Sequence, residues 1–157
     1  MKTKKNCIII SIVIILVLAL TAVLTMPRFY IGDRIKLNIR ISGTDIDKLS
    51  FNAVNRQGEE QEYSAETKGD TVFVSVKGGD KMGYAVQIEG TETPVAIYIR
   101  NFDWFQRTDS DIELKFDDDG VNYTAETSTT SGEMPFREHR STSGKAEMEN
   151  GYLTIKI

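Results

Sequence analysis

Residues 34–41, RIKLNIRI, alternate without a break between polar and apolar side chains, placing Ile35, Leu37, Ile39 and Ile41 on one side and Arg34, Lys36, Asn38 and Arg40 on the other. A period of two belongs to an extended chain with one face buried and one in water; a helix scatters such residues around its circumference. The same alternation runs through LSFNAV (49–54), TVFVSV (71–76), YAVQI (84–88), IELKF (112–116) and YLTIKI (152–157), and more weakly through EYSAET (62–67) and NYTAET (122–127). PVAIYI (94–99) is apolar on both faces, as in a strand covered from both sides. Between these stretches lie Gln57-Gly58, Lys68-Gly69-Asp70, Gly78-Gly79-Asp80, Asp119-Gly120 and Asn150-Gly151, pairings that tolerate positive φ in tight turns. No segment after Pro27 carries a helical period.

Nine short strands separated by glycine turns predict an all-β fold, an antiparallel β-sandwich whose two layers bury their apolar faces against each other. This pattern resembles the immunoglobulin and fibronectin type III architecture. The resemblance is one of architecture and brings no functional residues with it, because the single cysteine is Cys7 and Trp104 falls between strands late in the chain. EYSAET and NYTAET echo each other, but Phe51 precedes the first tyrosine by twelve residues and Phe116 the second by seven. The β-propensity of Tyr, Thr and Ser accounts for the echo without duplication.

Ahead of the strands, Cys7 to Met26 is a run without charge, Pro or Gly, in which thirteen residues are Ile, Leu or Val. Each of those favours insertion into a bilayer by roughly 0.3–0.6 kcal/mol near its centre, and about 20 helical residues span the hydrocarbon. Lys2, Lys4 and Lys5 precede the run and Arg28 follows it, so the positive-inside bias predicts a cytoplasmic tail (1–6) and a transmembrane signal anchor (7–26). A short juxtamembrane linker (27–33) then leads to an extracytoplasmic sandwich (34–157), giving a single-pass protein of the plasma membrane. The alternative is secretion after cleavage near Ala19 and Thr21 or Leu20 and Ala22, although the apolar run is longer than a signal-peptide core. A lipoprotein signal does not fit, since Cys7 opens the apolar run instead of closing it.

Residues 27–157 carry 16 basic against 23 acidic side chains, a net charge of −7 that disfavours nucleic acid and anionic headgroups as partners. There is one histidine, and GxSxG, HExxH and CxxC are absent, so the chain is read as non-enzymatic, with no cofactor and no metal. FDDDG (116–120) places Asp117, Asp119, Gly120 and Glu126 at EF-hand spacing, but Lys115 occupies the first ligand position and a strand follows. The simpler reading is a hairpin turn. A looser carboxylate patch joining Asp103, Asp109 and Asp111 to that turn is the weaker calcium alternative.

Two connections are the candidate binding segments. NFDWFQRTDSD (101–111) holds Phe102, Trp104 and Phe105, rings suited either to stacking on a ligand or to plugging one end of the sandwich. TSTTSGEMPFREHRSTSG (127–144) is read as a long loop, with Phe136 set among Arg137, His139 and Arg140. The predicted function is a membrane-anchored binding or accessory module for an extracytoplasmic protein or cell-envelope glycan. The alternatives are a structural subunit assembled through its helix and an exported hydrolase using paired carboxylates.

Overall fold

The alternating segments become strands in the computed structural model, which describes residues 12–18, 35–55, 57–77, 83–99, 106–131 and 137–157. RIKLNIRI forms β1 (Ile35–Ser42), followed by β2 (Ser50–Asn55), β3 (Tyr63–Lys68), β4 (Thr71–Val76), β5 (Tyr84–Glu89) and β6 (Val95–Ile99). The second half holds β7 (Gln106–Asp117), β8 (Gly120–Ser131), β9 (Arg137–Lys145), β10 (Glu147–Glu149) and β11 (Tyr152–Lys156). They assemble into a six-stranded sheet of order β3-β4-β1-β7-β8-β9 and a five-stranded sheet of order β10-β11-β6-β5-β2. The chain crosses between the sheets repeatedly, and each visit after β2 adds a hairpin or a three-strand meander.

The protein is therefore all-β, with both sheets mixed. This corrects the antiparallel expectation: β1 runs parallel to β7, Ile35 opposite Thr108, and β11 runs parallel to β6, Leu153 opposite Val95. Parallel neighbours need a long crossover, and here the intervening strands of the opposite sheet supply it. Hairpin periodicity carries no information about such pairings between remote segments.

The inward faces of both sheets meet in one hydrophobic cluster. Ile35, Leu37, Ile39 and Ile41 of β1 lie there with Val72, Val74 and Val76 of β4, Val86 and Ile88 of β5, Ile97 of β6, Ile112 and Leu114 of β7 and Ile155 of β11. Each such side chain, fully withdrawn from water, favours folding by roughly 1.5–3 kcal/mol. Two glycines are required by close approach as well as by φ. A Cβ on Gly43 (φ +82°) would lie 2.0 Å from the Phe116 carbonyl oxygen, and one on Gly90 (φ +97°) 2.2 Å from that of Lys48.

The segment 127–144, expected to be a loop, is instead largely strand. β8 runs on to Ser131 and β9 begins at Arg137, paired from Thr130 opposite Arg137 to Asn122 opposite Lys145. Its alternation is invisible because β9 is exposed at every residue but the partly buried Thr142, so neither face needs apolar side chains. Likewise β7 starts at Gln106, which takes half of the 101–111 connection into the sheet; residues 101–105 lie outside the described residues.

Residues 12–18 form a helix whose side chains are all apolar and between 51% and 64% exposed. The remainder of the 7–26 segment lies outside the described residues, and among the described residues no helix is long and apolar enough to cross a membrane.

Candidate functional site

The pleat of the six-stranded sheet sends Ile112 and Leu114 inward, and so turns Arg107, Asp109, Asp111 and Glu113 of β7 outward. In-register pairing lines these up with outward residues of the neighbouring strands. Asp109 stands opposite Ser128, which stands opposite His139; Asp111 opposes Glu126, which opposes Ser141. On the other flank Lys36, Asn38 and Arg40 of β1 oppose Asp109, Asp111 and Glu113. The outcome is a groove of about 490 Å³ over β7, β8 and β9, lined by Asp109, Asp111, Glu126, Ser128, Arg137 and His139.

Its charges are graded along the strands. At one end Arg107 holds Asp109 through Nη2 at 2.8 Å and Nε at 3.1 Å, and Arg137 donates from Nε to the Ser128 hydroxyl at 2.8 Å. Further along, Asp111 and Glu126 form a directly opposed like-charged pair, an arrangement that disfavours folding and suits the recognition of donors. The Asn38 amide donates to Asp111 Oδ1 at 2.6 Å and Arg40 donates to Glu113 at 2.8 Å, while Glu126, between Asp111 and Ser141 in the row, is exposed. Phe73 of β4 opposes Asn38 in that same row, 40% exposed, with the Lys68 ammonium 5.5 Å from its ring centre.

Of the residues singled out in the sequence, Arg137 and His139 line this groove from β9. Arg140 borders it too, but its guanidinium turns toward Glu138, 3.8 Å away, so the basic cluster is divided between two faces of one strand. Phe102, Trp104, Phe105 and Phe136 lie outside the described residues. The carboxylate patch is redistributed by register: Asp109 and Asp111 join Glu126, some six residues from the turn, while Asp117 serves the β7–β8 hairpin. There its carboxylate accepts from the Asp119 backbone at 3.1 Å and from the Asn122 amide at 2.7 Å. Among the described residues no three His, Cys, Asp or Glu side chains gather into a metal-holding set. The sequence signal for the groove was the period-two run R-T-D-S-D-I-E from 107 to 113, whose outward positions are all charged.

Compared with known proteins, the chain matches no family model, no curated protein and no solved structure.

Proposed function

We propose that this chain is a membrane-tethered, non-enzymatic binding module that holds its outer sheet toward an extracytoplasmic ligand. The single observation that supports the binding role is the groove over β7, β8 and β9, with cations at one end and the opposed Asp111–Glu126 pair at the other. Such a surface matches a polar ligand that offers hydroxyl or amine donors, a cell-envelope glycan or a protein segment, and its few hydroxyls and mixed charges resemble a binding rim more than a catalytic pocket. The tether is supported by the helix at 12–18, apolar on every side and exposed on every side, which water does not accommodate but lipid does. Two sheets facing across one core support the sandwich arrangement, although an order of six plus five strands departs from the immunoglobulin pattern.

The test combines topology with capture. Protease added to intact cells is expected to digest residues beyond 34, and crosslinking in those cells is expected to join a ligand to the full-length protein. Asp111→Asn with Glu126→Gln is expected to abolish that crosslink, and Tyr98→Ala on the opposite sheet to leave it. An unchanged set of neighbours in the groove variant refutes the binding role, and full protection from protease refutes the placement.

A further inference from the structure

The two flanks of the molecule are finished differently. On the β3 flank the sheets are stitched together: the Tyr63 hydroxyl donates to the Phe51 carbonyl at 2.6 Å, Gln61 N–H to the Ala53 carbonyl at 2.8 Å, and Glu60 bridges Val54. On the opposite flank β9 pairs with β8 alone, and among the described residues no strand occupies its other side. An unpaired edge is a template for another extended chain. The later half of β9 carries devices that deter pairing, Gly144 and Lys145, whereas Arg137 to Ser141 is regular strand without Pro or Lys.

We propose that β9 pairs antiparallel with β9 of a second copy of this chain, about a two-fold axis at His139. Charge selects this register. Centred on His139, Glu138 faces Arg140 of the second copy and Arg140 faces its Glu138, so both ion pairs form at once; Arg137 faces a serine. Centred on Ser141, Arg137 meets Lys145; centred on Arg140, two arginines meet; centred on Glu138, two glutamates meet. Within one copy Glu138 and Arg140 share a loose ion pair of 3.8 Å and stay 58–59% exposed, so a cross-strand partner can engage both. An isologous contact of this kind closes after two copies and stops there, which a head-to-tail edge contact does not. It merges two six-stranded sheets into one face. The two grooves then adjoin across the axis, each keeping its own acidic end. This self-association is independent of what the groove binds.

The experiment uses the full-length protein in lipid nanodiscs with Cys7→Ser, so that an introduced cysteine is the sole thiol. Directly opposed residues on antiparallel strands lie about 4.5–5.5 Å apart at Cα, within disulfide range, so His139→Cys is expected to give an oxidised dimer and Ser143→Cys to give none. Adding Glu138→Arg or Arg140→Glu to His139→Cys is expected to lower the yield roughly tenfold, because each reversal turns both pairs repulsive. Combining the two reversals is expected to restore it. Absence of the His139→Cys dimer, or equal yield at Ser143→Cys, overturns the register. Failure of the double reversal to recover also overturns the proposal, and points to an acidic partner read by Arg137 and Arg140.

Discussion

Thr108 and Ser110 sit two residues apart on the inward face of β7, both buried, and they differ in one respect. The Ser110 hydroxyl lies 2.8 Å from that of Thr127 across the β7–β8 pair, whereas Thr108 Oγ1, on a residue 0% exposed, has no hydrogen-bonding partner among the described residues. Burial of an unsatisfied hydroxyl costs on the order of 1–3 kcal/mol, and valine keeps the β-branch while removing the oxygen. Thr108→Val is therefore expected to stabilise the fold by about 1–2 kcal/mol, raising the melting temperature by roughly 3–6 °C for a domain of this size. Ser110→Ala breaks a formed bond and strands the Thr127 hydroxyl, at a cost of about 1 kcal/mol. Urea unfolding followed by circular dichroism measures both, and a shifted midpoint at constant slope identifies a change in stability. The reasoning predicts opposite signs on neighbouring positions of one strand. Destabilisation by Thr108→Val comparable with that of Ser110→Ala refutes it, and means that the Thr108 hydroxyl is satisfied in the folded protein.

Other perturbations test other links. Gly43→Ala, with its Cβ driven into the Phe116 carbonyl at positive φ, is expected to cost well over the ~1 kcal/mol of a strained turn alone, while Gly69→Ala, at φ +63° with open space around it, costs about that amount; thermal melts separate the two. Tyr63→Phe removes the bond to the Phe51 carbonyl and is expected to cost about 1 kcal/mol, with faster amide exchange along β2 and β3 as the localised readout. The hydrogen bond and charge of Glu149, 2.7 Å away, hold the Lys156 ammonium pKa above its ordinary value. A raised folded value means that the stabilisation is complete below the unfolded lysine range of about 10.4 and is lost as the pH rises through the higher folded value. Wild type is thus expected to exceed Glu149→Gln in stability at neutral pH, with the gap closing at strongly alkaline pH.

Strands that bury one face are readable because water enforces their alternation; β3, exposed at every position, is legible only weakly, through the β-propensity of EYSAET. All nine alternating or apolar segments coincide with observed strands, from RIKLNIRI in β1 to YLTIKI in β11. β9 and β10 were not readable. All their residues but the partly buried Thr142 are exposed, so hydrogen bonding to β8 and β11 defines them while no hydrophobic signal does. The candidate site followed the same division. Arg137 and His139 stand out as part of a local basic cluster, but Glu126 reaches Asp111 only through the register of a hairpin of two twelve-residue strands. That register is set by the Asp118-Asp119 turn, at the far end of the hairpin from the charges it juxtaposes, and by Val121 and Ala125 facing the core.

The parallel pairing of β1 with β7 joins segments 73 residues apart in the chain, as the Asn38–Asp111 contact records. A ribosome that has just delivered the first central strand therefore leaves it with one flank unmated until β7 has emerged, its isoleucines open to the wrong neighbours meanwhile. Topologies dominated by such remote unions fold in milliseconds to seconds instead of microseconds. Completion of the six-stranded sheet thus waits on its late strands, and any slowing of their delivery is expected to lengthen the interval in which aggregation competes.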